Sequence, residues 1–302
     1  MRAPARPGPL LALVGVTAVW GLTFVQVKDA VALYPVFAFL AIRFAIGAAV
    51  LAAPARGTVR ALGRRGVLAG LAIGLVLAAG YAFQTLGLER TTASSAGFIT
   101  GLFVVITPLL ATVVFGIRLG LVTWLGVAIA TLGLGLLSGG GAGDTAGDAL
   151  VLVAALAFAV HIVLLERFAP GYDALPLTAL QLLAAFVSLG AIALALGQVE
   201  APRGWTVWSA LVVTGVFASA LGFLVQTWAQ QRTTATRTAL ALTMEPVWAG
   251  VFGFVLAGDR LGWAGWAGAA LILVGIVLAE PAAADALRRL VRSQRERPSA
   301  ET

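Results

Sequence analysis

Two ionisable side chains lie in the middle of long apolar stretches of the sequence. Glu245 stands about 13 residues into one stretch and is followed directly by Pro246, and Arg43 stands about halfway along another. A charge surrounded by hydrocarbon is unfavourable unless it is paired, neutralised or in contact with water. The two groups could bind the amine and the carboxylate of one zwitterionic molecule. The alternative is structural: Glu245 tied to a neighbouring helix, and Arg43 in a buried ion pair with an acid such as Glu245.

Aromatic side chains are candidates for holding the apolar part of such a molecule. Rings can sandwich an apolar group, and they attract an amine by the cation–π interaction. Trp20, Tyr81 and Trp248 are the predicted substrate-binding residues of this kind, and Phe83 and Trp228 are further candidates. The competing explanation is packing or anchoring at the membrane interface, the usual role of aromatic residues in a helix bundle.

Two glutamines and the single histidine complete the candidate polar groups. Gln84 and Gln226 are expected to hydrogen-bond the substrate or to gate its path, or else to bond neighbouring helices. His161 could relay protons together with Glu245, although a solitary histidine is also a common packing residue.

Several chemistries find no support in the residues. With one histidine and no cysteine, no metal site and no other cofactor is predicted. No phosphate-binding Gly-rich loop ends in Lys-Ser/Thr, which argues against an ATPase. Nothing in the sequence orients His161 toward a serine, so a hydrolase is not favoured and no enzymatic activity is predicted.

Composition indicates the solvent in which these side chains are positioned. Hydrophobic residues make up 60% of the 302 positions and charged residues 11%, whereas soluble proteins carry about 25% charged residues. Apolar runs of about 20 residues, the length that crosses a bilayer, recur along the chain. We therefore predict an all-α polytopic membrane protein with ten transmembrane helices, at residues 10–27, 35–53, 66–88, 92–115, 120–138, 147–165, 175–196, 205–229, 233–257 and 262–279.

The basic residues indicate how these helices are oriented. With the N-terminus inside, fourteen arginines fall on the cytoplasmic side, four basic residues fall outside, and Arg43 and Arg237 lie within spans. This bias is the one that the positive-inside rule produces. The net charge of +7 is thereby explained by topology, and no nucleic-acid partner is predicted. We expect a multi-pass protein of a bacterial-type inner (plasma) membrane, with both termini cytoplasmic.

The sequence repeats itself at an offset of 142 residues. Gln84-Thr85 and Arg90-Thr91-Thr92-Ala93 recur as Gln226-Thr227 and Arg232-Thr233-Thr234-Ala235. The glycines at 80, 126 and 133 recur at 222, 268 and 275. Agreement over about 50 residues indicates a duplication.

The number of spans in each copy determines how the two copies are related. Each copy holds five predicted helices, an odd number, so the second copy must enter the membrane in the opposite sense to the first. Inverted repeats of this kind build secondary transporters, in which two equivalent halves expose a central site to either side in turn. The alternatives are a transporter of nucleotide-sugar-like or phosphorylated metabolites, which would need several basic groups, and a non-transporting scaffold or lipid-handling subunit.

Several motifs, in their order and spacing, resemble the EamA-type transporters of the drug/metabolite transporter superfamily over roughly residues 10–280. They are Trp20-Gly21 with Lys28, Arg43-Phe44, Glu245-Pro246-Val247, and the glycine-spaced segment from Gly262 to Leu278. The resemblance implies a ten-helix fold in which the third, fourth, eighth and ninth helices surround a cavity. It also implies export of amino acids or other small metabolites.

The sequence departs from the family pattern at three places. Asp259 stands where a glutamate is usual, and the acid expected after the fourth helix is missing from Gly116-Ile117-Arg118. The first copy has Thr107-Pro108 where the second has Glu245-Pro246, so only one half places an acid at membrane depth.

These predictions divide the chain into five parts: a cytoplasmic N-terminus (1–9), a first repeat (10–139), an external connector (140–146), a second repeat (147–280) and a basic cytoplasmic tail (281–302). The predicted function is alternating-access export of an amino acid or related zwitterion. The predicted partners are this small molecule and the lipid bilayer, and a monomer is compatible with the sequence.

Overall fold

The computed structural model describes residues 7–116, 120–138, 144–258, 260 and 262–279. Within these ranges the chain is helical and contains no strand, which confirms the predicted all-α class. Several sequence features lie outside the described residues: Arg118, Asp259, residues 1–6, residues 140–143 of the connector, and the tail 281–302.

The helices follow the predicted spans closely, because each span is a continuous apolar run bounded by polar or glycine-containing turns. Those of the first repeat are α1 (Pro7–Val31), α2 (Val36–Ala55), α3 (Gly63–Leu88), α4 (Ala93–Thr100), α5 (Phe103–Phe115) and α6 (Leu121–Ser138). Those of the second repeat are α7 (Thr145–Phe168), α8 (Ala174–Ala195), α9 (Gly204–Val212), α10 (Gly222–Gln230), α11 (Ala235–Leu242), α12 (Met244–Leu256) and α13 (Trp263–Ala279), with a π-helix at Val213–Leu221 between α9 and α10.

Eight of the predicted spans correspond to helical stretches that are long and apolar enough to cross a membrane. The fifth and tenth correspond to α6 and α13, which contain the shorter apolar helices Trp124–Gly133 and Trp263–Gly275. The chain is thus a multi-pass α-helical membrane protein.

The fourth and ninth spans are each broken into two helices. The first breaks between Thr100 and Phe103, and the second breaks at Thr243. Both spans open with a threonine N-cap: Thr92 accepts a hydrogen bond from the Ser95 amide, and Thr234 accepts one from the Arg237 amide. The second break precedes Pro246, which lies in the first turn of α12, where a missing N–H removes no intrahelical bond.

The packing of the helices repeats the internal symmetry of the sequence. The contact of α3 with α7 corresponds to that of α10 with α1, and the contact of α1 with α12 corresponds to that of α7 with α5. Among the remaining major pairs, α2 with α8 and α6 with α13 join equivalent helices, and the contact of α3 with α8 corresponds to that of the π-helix with α2. The two repeats are therefore related by a pseudo-twofold axis, as an inverted repeat requires.

A reciprocal glycine contact shows this relationship at atomic scale. A methyl group at Gly133 would lie 2.6 Å from the carbonyl oxygen of Gly268, and one at Gly275 would lie 2.5 Å from that of Gly126. Gly126 and Gly268, like Gly133 and Gly275, are 142 residues apart. Both positions must be glycine for the α6 and α13 backbones to approach this closely.

Candidate functional site

A cavity lies on the pseudo-twofold axis between the helices of the two repeats. Ten of its twelve lining residues form five pairs of repeat-equivalent positions. Four pairs are 142 positions apart: Tyr81 with Phe223, Gln84 with Gln226, Thr100 with Leu242, and Phe103 with Glu245. The fifth pair, Trp20 with Phe158, is 138 positions apart, the spacing between the starts of α1 and α7. His161 and Ile162 complete the lining. Each repeat therefore contributes the same positions to one shared cavity, although the residue types differ in four of the five pairs.

Glu245 supplies the carboxylate of this cavity. Its side chain is 7% exposed, and among the described residues no Lys or Arg forms an ion pair with it. The break at Thr243 places Glu245 at the second position of α12, so it lies near a helix N-terminus, where negative charge is favoured. Phe103, which stands 142 positions earlier, also lies next to a helix break, as the first residue of α5.

Arg43 lies beside the cavity rather than in its lining. The side chain is 1% exposed and borders a smaller adjoining space together with Trp20, Tyr81, Gln84 and Glu245. Its Nε donates to the Ser219 hydroxyl at 2.9 Å, and its guanidinium lies 4.3 Å from the centre of the Tyr81 ring. Arg43 is thus held by Ser219 and Tyr81, and its Nη2 group makes no hydrogen bond within the described residues.

A π-helix in the eighth span helps to hold these side chains, and it was not predicted from the sequence. The Trp20 Nε1 donates to the carbonyl oxygen of Ala218, within the π-helix, at 2.8 Å. Ser219, the partner of Arg43, is the next residue. The corresponding residues 71–79 of the first repeat lie within the regular helix α3. Such π-helical segments are rare and are often found at functional sites.

The two predicted glutamines both line the cavity, each about one turn from the end of its helix. Gln84 donates from Nε2 to the Thr100 hydroxyl at 3.0 Å. Gln226 donates to Gln230 Oε1 at 3.0 Å, and Gln230 donates to the Ile162 carbonyl at 2.8 Å. Both therefore make helix-to-helix or local bonds in this state and present their remaining polar atoms to the cavity.

His161 also lines the cavity and is almost fully buried. Its Nε2 is 3.1 Å from the Gln181 Oε1 on α8. Gln181 in turn donates to the Leu177 carbonyl at 3.4 Å. The ring packs edge-on against Phe223 at 5.8 Å between centroids. His161 thus has a hydrogen-bond partner and a ring contact, as a packing residue would. It also lies at the cavity.

Aromatic rings form a continuous wall of the cavity. Trp20 contacts Phe223 at 5.3 Å between centroids, Phe223 contacts Tyr81 at 6.0 Å, and Tyr81 contacts Phe158 at 5.2 Å. Trp20 and Tyr81 were predicted from the sequence, whereas Phe103, Phe158 and Phe223 were missed. The repeat offset applied to Tyr81 and Glu245 would have identified Phe223 and Phe103.

Three of the aromatic candidates lie elsewhere. Trp248 is absent from the cavity lining and stacks on Phe252 at 5.8 Å, because α1 approaches α12 closely where Gly21 faces Trp248. Phe83 and Trp228 are partly exposed on the outer surface of the bundle. The guanidinium of Arg232 covers the Trp228 ring at 4.7 Å.

The cavity is narrow in this state. The space that the centre of a water molecule could occupy measures about 30 Å³, enough for about two waters. A metabolite would fit only after the surrounding helices or side chains move apart. Among the described residues, no group of three or more His, Asp or Glu side chains could hold a metal ion.

Comparisons with known proteins agree with this architecture. The model of the EamA-like transporter family matches residues 7–139 and again residues 145–279. An uncharacterized transporter from Archaeoglobus fulgidus is 31% identical over 268 residues, which are 89% of this chain and 84% of that protein. One crystal structure has a similar fold, with a TM-score of 0.72 and 21% identity over 95% of this chain and 99% of the other. The chain is therefore a membrane transporter that belongs to the EamA-like transporter family of the drug/metabolite transporter superfamily.

Proposed function

We propose that the protein is a secondary transporter that exports a small zwitterionic metabolite, such as an amino acid, by alternating access. The observation that carries the proposal is the cavity on the pseudo-twofold axis, in which ten of twelve lining residues are repeat-related. Because the repeats are inverted, a motion that opens this cavity to one side has an equivalent motion that opens it to the other. A cavity too narrow for a metabolite fits an intermediate between these two openings.

The charges near the cavity support a zwitterionic ligand. Glu245 is available to the amine of the substrate, and the unpartnered Nη2 of Arg43 is available to its carboxylate. The aromatic wall from Trp20 to Phe158 suits an apolar side chain. One guanidinium beside the cavity is a weak match for a phosphorylated or nucleotide-sugar-like ligand, whose phosphates favour several basic groups.

The coupling and the direction of transport are further parts of the proposal. Glu245 and His161 both line the cavity. A proton bound to either side chain could therefore be exchanged for substrate as the cavity changes sides. Export is supported by the likeness to EamA-type exporters. Arginines are concentrated in the loops that follow the second, fourth, sixth and eighth predicted spans, and in the C-terminal tail. This distribution supports a plasma-membrane location with both termini cytoplasmic.

A counterflow screen in proteoliposomes tests the function. Purified protein is reconstituted with one unlabelled amino acid at high concentration inside, and uptake of the labelled compound is followed with and without a pH gradient. We expect uptake of at least one amino acid, strongly reduced in Glu245→Gln and Trp20→Ala. Trp205→Ala, which alters a tryptophan that is 84% exposed, is the control and should transport normally.

The same screen identifies the competing functions. Uptake of a phosphorylated compound without uptake of any amino acid would show that the substrate class is phosphorylated rather than zwitterionic. Flux equal to that of empty liposomes for every compound, from folded protein, would indicate a scaffold or lipid-handling role.

A further inference from the structure

Two charged side chains occupy equivalent places near the ends of α1 and α7, the first helices of the two repeats. Lys28 and Glu166 are 138 residues apart, the same spacing as Pro7 and Thr145, at which α1 and α7 begin. In an inverted repeat, equivalent positions lie at opposite ends of the molecule. Lys28 and Glu166 therefore mark the two mouths of the pathway that passes through the cavity.

Lys28 binds the junction that follows α3. Its Nζ donates to the carbonyl oxygen of Leu88, the last residue of α3, at 3.1 Å, and also to that of Thr91. A cation at a helix C-terminus interacts favourably with the helix dipole as well as with the carbonyl groups. We call this contact of Lys28 with Leu88 and Thr91 the Lys28 latch.

Glu166 binds the equivalent junction of the second repeat with the opposite charge. Its Oε2 accepts a hydrogen bond from the amide of Ala235, the first residue of α11, at 2.7 Å. A carboxylate at a helix N-terminus is again favoured by the dipole. We call this contact of Glu166 with Ala235 the Glu166 latch.

Each latch joins two groups of helices that must separate for the cavity to open. The first helix of each repeat packs mainly on the other repeat: α1 lies against α10 and α12, and α7 lies against α3 and α5. The Lys28 latch therefore ties the group around α1 to the end of α3, and the Glu166 latch ties the group around α7 to the start of α11. The cavity lies between these same two groups.

We propose that the Lys28 latch and the Glu166 latch are reciprocal gates, one at each mouth, and that each must break for the cavity to open on its own side. This inference rests on the proposed alternating access. Both latches are made in this structure, and opening one mouth leaves the other latched. Neutralising one side chain shifts the equilibrium toward the state that is open at that end. The arginine distribution assigns the Lys28 latch to the outer mouth and the Glu166 latch to the cytoplasmic mouth.

Cysteine labelling measures this shift without a transport assay. The sequence contains no cysteine, so Leu242→Cys places a unique thiol in the cavity lining. A membrane-impermeant maleimide is applied to intact cells from outside and to inverted vesicles from the cytoplasmic side. Lys28→Met is expected to speed labelling from outside by about tenfold and to leave labelling from inside unchanged or slower, since a hydrogen bond to a charged group is worth roughly this factor or more. Glu166→Gln is expected to do the reverse.

Adjacent charged residues supply matched controls. Asp29 and Arg167 each follow a latch residue directly and are exposed, so Asp29→Asn and Arg167→Gln change the charge at the same helix ends and leave the latches intact. Both should label like the parent, and Lys28→Arg, which keeps a cationic donor, should restore much of the parent rate. Lys28→Gln, which is neutral and still a donor, replaces Lys28→Met if that variant does not insert into the membrane.

Three outcomes would contradict the latches. The first is unchanged labelling in Lys28→Met and Glu166→Gln, and the second is faster labelling from the same side in both variants. The third is a change in labelling in Asp29→Asn and Arg167→Gln as large as that in the latch variants. Opposite shifts in labelling, together with no flux of any tested metabolite, would support the latches and contradict the proposed substrate class. Normal flux without any shift in labelling would support the transport function and contradict the latches.

Discussion

Replacing Glu245 by glutamine separates a substrate-binding carboxylate from a structural one. The variant keeps the size of the side chain and removes only its charge. Among the described residues no ion pair holds Glu245 in place, and its side chain is 7% exposed. A buried charge without a partner is a cost to the folded protein. We therefore expect the Glu245→Gln protein to be at least as stable as the parent in thermal unfolding in detergent.

Binding should change in the opposite direction for ligands that carry an amine. A hydrogen bond to a charged group contributes about 1.5–3 kcal/mol, which corresponds to a loss of roughly 10- to 150-fold in affinity. An analogue with the same side chain and carboxylate but without the amine should lose much less. Isothermal titration, or competition against a labelled substrate, with the matched pair of ligands gives both values.

The size of the difference between the two ligands is the decisive measurement. Equal losses for the amine and its amine-free analogue, combined with a lower unfolding temperature, would refute the reasoning and show that the carboxylate supports the bundle. Glu245→Asp serves as the control, because it keeps the charge and shortens its reach by one methylene. It should bind the amine-bearing ligand better than Glu245→Gln does.

Three further predictions follow from individual contacts. Trp20→Phe removes the bond to the Ala218 carbonyl and should lower the free energy of unfolding by about 1 kcal/mol, whereas Trp248→Phe, whose Nε1 has no partner, should cost less; equal losses in thermal unfolding would contradict this. Gly133→Leu should lower the melting temperature markedly because α13 lies against it, and Gly135→Leu should not, since nothing lies within 4 Å of a methyl group there. Arg43→Met should weaken a carboxylate-bearing ligand by about tenfold and leave the corresponding simple amine unaffected; equal binding losses for both would exclude a carboxylate contact.

Hydropathy and the internal repeat were sufficient to predict the helices. A chain in lipid must satisfy its backbone hydrogen bonds within each span, so every apolar run of adequate length becomes a helix whose ends are set by turn residues. Thr92 and Thr234, for example, begin α4 and α11 as side-chain caps. The offset of 142 also relates the glycines at which α6 and α13 approach each other, although the contact itself was not predicted.

The details of the site depend on contacts that a single sequence does not reveal. The π-helix at Val213–Leu221 contains no proline, and its sequence is about as apolar as the regular helices α2 and α8. Trp20, which donates a hydrogen bond to the Ala218 carbonyl of this π-helix, lies 198 residues away from Ala218 in the sequence. Trp248 stands one turn beyond Glu245, yet the local approach of Gly21 on α1 keeps it from the cavity. Such outcomes are set by tertiary packing rather than by local pattern.

The two repeats carry different residue types at four of the five paired positions of the cavity. Under the proposed alternating access each half adopts the conformation of the other as the cavity changes sides, which requires a symmetric scaffold. The glycine contacts of α6 with α13 and the paired glutamines have this symmetry. A single small ligand has no such symmetry. One carboxylate at Glu245 can meet one amine, whereas a second carboxylate at Phe103 would face it across the axis and add the cost of another charge in hydrocarbon. With Phe103 at the equivalent position, the first repeat contributes an apolar surface instead, and the cavity can hold an asymmetric molecule in one orientation throughout the exchange.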